Sequence, residues 1–256
     1  MSQDTLYIIS TPGQSLPVHT PNQIPVHPLC RLSPSGGLLT LRGSAHLRGG
    51  VLMLSDCPGA PIPRPRSLAC ALLRLCSLHR VQGMLADLSG HSADRAALVR
   101  SLLPELTSTG ITPFLPEYYA PLSPSARILI PSSLSGGSLS ERMGEAVDKF
   151  GCDRVVLALE RCGEDFTLPA LNGCGMALND ADLEALMAQL RPRTHLSRPL
   201  CTRYFTYCRG NEAHLVLYDD EGSLREKTAC ARQSGVFRFL VLQRDKQVVF
   251  PNFSPR

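Results

Sequence analysis

The amino-acid sequence predicts an α/β protein built around one parallel sheet, and two observations carry that prediction. Continuous apolar runs, typical of strands buried on both faces, alternate along most of the chain with segments of helical periodicity. The chain has 256 residues, and one (β/α)8 barrel takes about 250. A doubly wound sheet fits the same alternation, although no glycine-rich nucleotide-binding motif follows a strand.

Residues 1–49 form the least regular part of the sequence. The short apolar run at residues 6–9 predicts a first strand, and residues 11–37 then contain six prolines. Proline at this density excludes a helix, because it lacks the backbone N–H that a helix needs. A second strand is only weakly indicated, at residues 24–29 or 38–41. We therefore expect an irregular first part.

From residue 50 onward the alternation is clear. The apolar runs that predict strands are residues 51–54, 83–88, 111–115, 128–130, 155–159 and 237–242. The apolar stripes that predict helices lie at residues 68–78, 93–106, 139–150, 179–190 and 223–235, with Ser138 and Ser223 each opening a capping-box pattern. Alternating strands at residues 204–207 and 214–218 flank a turn and predict a hairpin. We assign residues 175–220 to a small α+β insertion before the last strand.

Composition excludes several classes of function. The net charge of +4 is small and its Lys and Arg residues are scattered, which argues against nucleic acid as a partner. No run approaches the roughly 18 apolar residues that a membrane span needs. The ten cysteines form no Cys-x-x-Cys pair, so we predict neither a metal site nor a cofactor. The first ten residues lack the basic region of a secretory signal, which predicts a cytoplasmic protein.

Three segments, taken in order, carry a resemblance to a known family. Residues 81–89, V-Q-G-M-L-A-D-L-S, look like a fourth-strand pattern D-G-x-x-x-D-x-E. Residues 150–169 look like a seventh strand with its aromatic loop, and residues 204–242 contain Y-D-D-x-x-S-x-x-x-K followed by an eighth strand. Together they resemble glycoside hydrolase family 18, in particular its spore-associated, peptidoglycan-directed branch. The likeness spans roughly residues 50–245. It implies a single TIM-type barrel over residues 1–256 and makes a spore-associated location a second expectation.

The fourth-strand motif departs from the family pattern at its most important position. The acid that protonates the glycosidic oxygen in the family is replaced by Ser89, and a hydroxyl cannot act as a general acid near neutral pH. Gln82 and Leu85 replace two further acids. Asp87 survives, and in the family that residue holds the N-acetyl group that serves as nucleophile. The resemblance therefore implies a catalytically inactive relative.

Two further departures affect the sugar subsites that the resemblance implies. The aromatic and acidic residues at the end of the family's sixth strand correspond to Pro131 and Ser132. The tryptophan of the eighth strand corresponds to Val241 or Leu242, and the chain contains no tryptophan. Because sugar subsites use flat aromatic faces, these losses weaken the prediction of tight glycan binding.

Four acids follow predicted strands directly, and barrel enzymes build their sites at those strand ends. They are Asp56, Asp87, Glu117 and Glu160. They could form an acid–base pair or a cation site, or they could simply be solvated or paired with neighbours such as Arg161. We predict Asp87, Asp56, Glu117, Tyr118 and His91 as ligand contacts, with Glu117 and Glu160 as candidates for a relocated general acid.

Three functions stay open on the sequence. The leading hypothesis is a non-hydrolytic barrel that binds N-acetylglucosamine-containing glycan, such as peptidoglycan or chitin fragments. The first alternative is an active glycosidase with a relocated general acid. The second is a structural or interaction protein with an occluded pocket. The geometry of the pocket distinguishes them.

Overall fold

The structure is a computed structural model that describes residues 3–10, 20–40, 47–170 and 173–251. The prolines at positions 12 and 17, and position 41 of the weakly indicated second strand, lie outside the described residues.

Eight parallel strands close into a barrel, because β1 pairs with both the second and the last strand. In their order around the barrel the strands are β1 (Thr5–Ile9), β2 (Gln23–Leu32), β4 (Val51–Ser55), β5 (Gly83–Asp87), β6 (Thr112–Pro116), β7 (Arg127–Pro131), β8 (Val155–Ala158) and β14 (Arg238–Leu242). The short strand β3 (Leu38–Thr40) pairs antiparallel with β2. The predicted TIM-type barrel is confirmed, and its closure excludes the doubly wound alternative.

The first part of the chain is more regular than the proline content predicted. It supplies two barrel strands, and both weakly indicated segments are extended, as β2 and β3. The register of β2 against β4 shifts between His27 and Cys30, and Pro28 lies within that irregularity. Proline is tolerated in a sheet at such a bulge because no ladder hydrogen bond is required there. The expectation of an irregular N-terminal part was therefore wrong for β2.

Within the described part of the chain, five helices pack around the barrel, and side-chain caps begin three of them. They are α1 (Pro65–His79), α2 (Ala93–Ser108), α3 (Leu139–Phe150), α5 (Glu221–Gln233) and α6 (Gln243–Val249). Ser92 and Ser138 cap α2 and α3 as N-cap acceptors. The expected cap at Ser223 is wrong, because Asp220 is the N-cap and Ser223 is the N3 residue of the same motif. Asp220 and Ser223 form a reciprocal capping box, so α5 begins three residues earlier than expected.

The strands divide the core into two layers. Side chains that point into the barrel form one cluster, which includes Leu85, Phe114, Leu129 and Leu240. Side chains that point outward pack against the helices in a larger cluster. Each fully buried aliphatic or aromatic side chain contributes about 1.5–3 kcal/mol, so these layers supply most of the stabilisation.

A second, antiparallel sheet lies between β8 and β14 of the chain. Its strands, in spatial order, are β10 (Met176–Ala177), β9 (Gly163–Leu168), β13 (Glu212–Tyr218), β12 (Thr202–Arg209) and β11 (His195–Ser197), with α4 (Asp180–Leu190) packed against it. The predicted hairpin is the β12–β13 pair. The insertion begins at Gly163 rather than at residue 175, because β9 pairs with β13 from Gly163 to Leu168. Among the described residues, every helix is too short or too polar to span a bilayer.

Candidate active site at the carboxyl end of the barrel

A cavity of about 500 Å³ opens where the barrel strands end. Its floor and walls are apolar, from Ile9, Met53, Leu85, Leu88, Pro116, Leu129, Pro131, Ala158, Leu159, Leu240 and Leu242. Its polar lining consists of Asp87, Glu117, Tyr118, Arg142, Glu160, Arg161 and Arg244. A surface pocket of about 620 Å³ lies between α3, α5 and β11, away from the strand ends. We take the barrel cavity as the candidate site, because barrel enzymes place their chemistry at this face.

Asp87 and Glu160 are the two open carboxyl groups of the cavity. Asp87 ends β5, Glu160 follows β8, and among the described residues neither side chain has a hydrogen-bonding partner. Burial raises the pKa of Asp87, and the charge of Asp56 raises it further. Burial also raises the pKa of Glu160, with a further increase from Asp87 and a smaller decrease from the Lys227 ammonium. Both side chains are open to the cavity, while the surrounding protein atoms limit their hydration.

Asp56 lies beside the cavity, and its carboxylate is already hydrogen-bonded to neighbouring residues of the protein. Arg95 donates from Nε and Nη2 to the two carboxylate oxygens at 2.9 and 3.1 Å. Ser89 donates from its backbone N–H and its hydroxyl at 2.8 and 2.7 Å, and the Cys57 N–H donates at 2.7 Å. Burial acts to raise the pKa of Asp56, but these hydrogen bonds outweigh it and lower the pKa overall. Asp56 is thus a structural anchor for Ser89.

Glu117 lines the cavity but is already paired. It begins the 3-10 helix Glu117–Leu122, and its carboxylate accepts from Arg142 of α3. Lys149 approaches its other oxygen at 3.6 Å. The Glu117 carboxylate is thus committed to two cations of α3 and is not open to a ligand. Glu117 is therefore the weaker of the two relocated-acid candidates.

The aromatic residues beside the site form one small cluster of edge-to-face and tilted rings. Tyr118 lines the cavity, is 40% exposed and donates its hydroxyl to the Leu88 carbonyl. Burial raises its pKa to about 12, so the phenol stays protonated and keeps donating. Tyr119 is fully buried, and His91 packs on it with ring centroids 5.5 Å apart. His91 does not line the cavity, and its predicted ligand contact stays a prediction.

Sequence reasoning missed the cationic half of the cavity lining. Arg142, Arg161 and Arg244 come from α3, the segment after β8 and α6, and no motif marks them. Arg161 donates to Asp245 at 2.8 and 2.6 Å, and Arg244 donates to Asp180 at 2.9 Å. The sequence suggested Arg161 as a partner for the acids at the strand ends, but its guanidinium group binds Asp245 of α6. Of the two candidates for the lost tryptophan position, Leu242 lines the cavity, whereas Val241 packs in the outer core.

The side chains that commonly bind metal ions do not cluster within residues 3–10, 20–40, 47–170 and 173–251. No group of three or more His, Cys, Asp or Glu side chains there is arranged so that it could hold a metal ion. The lining of the site thus contains three carboxyl groups, of which Asp87 and Glu160 are open, together with three guanidinium groups and one phenol around an apolar floor.

Neither a protein-family model nor a curated protein matches the sequence. Solved structures do match. The spore cortex-lytic enzyme SleL from Bacillus megaterium has a TM-score of 0.66 at 12% identity, over 98% of this chain and 74% of that one. The chitinase from Chromobacterium violaceum has a TM-score of 0.65 at 12% identity, over 99% and 100% of the two chains. The fold is chitinase-like.

A mutant class V chitinase from Nicotiana tobaccum, solved in complex with NAG4, extends the comparison. Its TM-score is 0.61 at 12% identity, over 94% of this chain and 93% of that chain. The chitinase-like barrel that the resemblance implied is therefore confirmed as a fold, across almost the whole chain. The N-terminal strands, which carried no resemblance in the sequence, are part of it.

Proposed function

We propose that this chitinase-like barrel binds N-acetylglucosamine-containing glycan in the barrel-end cavity without hydrolysing it. The observation that carries the proposal is the contrast between positions 87 and 89. Asp87 presents an open carboxyl group to the cavity, whereas Ser89 stands at the acid position with its hydroxyl committed to Asp56. The group that would hold an acetamido N–H is present, and the group that would protonate the leaving oxygen is absent.

The size and lining of the cavity support a carbohydrate ligand. Its volume of about 500 Å³ lies within the range of roughly 300–1,000 Å³ that is usual for small-molecule sites. The open carboxyl groups of Asp87 and Glu160 can bind hydroxyl and amide groups, and Tyr118 offers one aromatic face. Chitin and peptidoglycan fragments both carry these groups. The Nicotiana chitinase binds NAG4, which makes that oligomer the natural first probe.

One observation favours a second candidate function, an active glycosidase with Glu160 as the relocated acid. Glu160 shares the cavity with Asp87, and burial together with the Asp87 charge raises its pKa. A carboxyl group that holds its proton at higher pH is the kind of group that general-acid catalysis requires. The structural alternative with an occluded pocket is not favoured, since the cavity is open. A cytoplasmic or spore-associated location stays a prediction.

The test combines calorimetric binding of NAG4 with hydrolysis of a fluorogenic N-acetylglucosamine oligomer. We expect the wild-type chain to bind NAG4 and Asp87→Asn to bind it at least about tenfold more weakly, the equivalent of about 1.4 kcal/mol. Asp148→Asn, the same substitution on the exposed face of α3, is the matched control and should bind normally. Equal binding by wild type and Asp87→Asn would contradict a glycan site at Asp87.

Turnover separates the two candidates. No release of fluorophore above buffer supports the non-hydrolytic proposal. Turnover by the wild type that disappears in Glu160→Gln and persists in Glu117→Gln would replace it with the glycosidase. The two variants are matched, because each removes the charge of a cavity-lining glutamate.

A further inference from the structure

Three residues of the loop that follows β8 are held in place far more firmly than a loop requires. Residues 160–162 lie outside the strand, yet they bring Glu160 and Arg161 into the lining of the cavity. Buried or nearly buried polar side chains from three other parts of the chain bind this segment. We name residues 160–162 the post-β8 segment.

Ser132, directly after β7, provides the first anchor. Its hydroxyl accepts from the Glu160 N–H at 3.1 Å and lies 3.3 Å from the Glu160 carbonyl, to which it donates. Ser132 is fully buried, and its own N–H donates to the Ala158 carbonyl at 3.0 Å. A hydroxyl can serve as donor and acceptor at once, so this side chain satisfies both peptide groups of Glu160.

Asp219, directly after β13, provides the second anchor. Its carboxylate accepts from the Cys162 N–H at 2.7 Å, while its own N–H donates to the Cys162 carbonyl at 3.0 Å. The Lys227 ammonium donates to the same carboxylate at 2.5 Å, and both charged side chains are fully buried. The Ser223 hydroxyl donates to the other oxygen at 2.7 Å. The carboxylate is thus fixed from three directions.

Asp245, in α6, provides the third anchor. One of its oxygens accepts from Nε and Nη2 of Arg161 at 2.8 and 2.6 Å. The Asp245 side chain is only 3% exposed. This contact directs Arg161 towards α6 and away from Glu160.

Burying polar and charged side chains is unfavourable unless each one is fully hydrogen-bonded, so three such anchors on three residues are a strong constraint. We propose that Ser132, with Asp219 and Asp245, is a positioning residue that holds the Glu160 carboxyl in the cavity within electrostatic reach of Asp87. The inference rests on the proposed function, in which this cavity is the glycan site.

The titration of Glu160 reports its position directly. The charged groups that act on it are Asp87 from β5, which raises its pKa, and Lys227 from α5, which lowers it, in addition to burial. A carboxyl that leaves the cavity for water loses the burial and the Asp87 contribution, and its pKa returns towards the ordinary glutamate value of about 4.3. Purely structural damage elsewhere would leave this titration unchanged.

The experiment follows the side-chain carboxyl carbons of 13C-labelled glutamate by NMR as the pH is varied, with Glu160→Gln used to assign the Glu160 signal. We expect Glu160 in the wild type to titrate at higher pH than the other glutamates. In Ser132→Ala its midpoint should move down towards the ordinary value, and Ser132→Thr, which keeps the hydroxyl, should restore it. Ser123→Ala, another buried serine exchanged for alanine, is the matched control and should leave the midpoint unchanged.

An unchanged Glu160 midpoint in a folded Ser132→Ala protein would overturn the proposal. If that variant does not fold, Arg161→Met releases the third anchor instead. If Arg161→Met only removed the positive charge of Arg161, the pKa of Glu160 would rise. If it also released the post-β8 segment, the pKa of Glu160 would fall, so the sign of the shift distinguishes the two effects. The same proteins are titrated with NAG4. Loss of positioning should weaken binding, whereas a wild-type chain that binds no NAG4 yet shows the expected shifts would contradict the glycan site and not the anchoring.

Discussion

The acids at the carboxyl end of the barrel differ in environment far more than in sequence. Asp56 accepts from Arg95, Ser89 and Cys57, and these bonds lower its pKa despite burial. Asp87 has no such donors, and burial raises its pKa. The same functional group therefore serves as a structural anchor at one strand end and as an open ligand contact at the next. Divergent environments of this kind are typical of functional sites.

The raised pKa of Glu160 predicts a stability that depends on pH. Because the pKa of Glu160 is higher in the folded state than in the unfolded state, the folded protein holds the Glu160 proton more tightly. The protonated carboxyl group therefore favours folding below the unfolded-state pKa, and this contribution to stability is lost as pH rises through the folded-state pKa. Glu160→Gln cannot ionise. We expect its melting temperature to match that of the wild type near pH 4 and to exceed it at pH 7.

Glu145→Gln, on an exposed position of α3, is the control for that measurement and should show no such difference. Differential scanning calorimetry at several pH values gives both melting temperatures. A wild-type protein that is more stable than Glu160→Gln at pH 7 would contradict the raised pKa.

Arg95 should be the costliest arginine near the site to remove. Its side chain is 6% exposed and that of Asp56 is 4% exposed, so Arg95→Met leaves a buried carboxylate without its cation. We expect a loss of about 3–5 kcal/mol in the free energy of unfolding, measured by urea denaturation. Arg225→Met, at an exposed pair with Glu221, should change it by less than about 1 kcal/mol. Equal losses in both variants would show that the Asp56 cluster adds no special stability.

At the scale of single elements, the packing around β5 explains why the strand begins with Gly83. A Cβ added to Gly83 would lie 2.8 Å from the Phe114 ring and 3.1 Å from a Val51 methyl group. The neighbouring strands therefore pack directly against the backbone at this point, and the absence of a side chain lets the barrel close around Phe114. The glycine is required by close approach and not by a left-handed backbone.

Gly83→Ala should destabilise the protein by about 1–3 kcal/mol through overpacking, as measured by urea denaturation. Gly144→Ala is the matched control, because Gly144 lies in α3 with no atom within 4 Å of the added Cβ. That substitution should be neutral or stabilise by up to about 1 kcal/mol, since alanine is the better helix former. A Gly83→Ala protein as stable as the wild type would mean that the barrel relaxes around the methyl group.

At the scale of the whole molecule, a buried ion pair joins the insertion to the barrel. Asp219 directly follows the last strand of the antiparallel sheet, and Lys227 lies in α5, which leads into β14. Both side chains are fully buried, and Asp219 also binds Cys162 before the first strand of that sheet. The two ends of the insertion are thus tied to one barrel helix by a single carboxylate.

Lys227→Met should lower the free energy of unfolding by about 3–5 kcal/mol, because it leaves the Asp219 charge unpaired in the interior. Adding Asp219→Asn should recover most of that loss, since the amide can still accept from Cys162 and carries no charge. The four proteins of this double-mutant cycle are compared by chemical denaturation. Additive losses would contradict a coupled pair.

The sequence by itself determined the order of strands and helices after residue 50, since continuous apolar runs and helical stripes reflect burial that every barrel strand and helix must have. It also determined that Ser89 cannot supply a general acid, which is a matter of chemistry alone. Three features escaped the sequence. Competition between neighbouring residues decided the cap at Asp220. Strand pairing decided the bulge at Pro28 and the start of the insertion at Gly163, and local sequence patterns contain no information on pairing.

Only the tertiary structure decided which charged residues share the cavity. Asp87 and Glu160 lie at the ends of strands far apart in sequence. Burial raises the pKa of both, with a further increase at Asp87 from the charge of Asp56 and at Glu160 from the charge of Asp87. Arg142 and Arg161 line the cavity while paired with Glu117 and Asp245, which lie on other elements. Ser132 and Asp219 bind the post-β8 segment across 28 and 57 residues of sequence. Long-range packing creates these contacts, and the physical reason is that a barrel brings all its strand ends to one face.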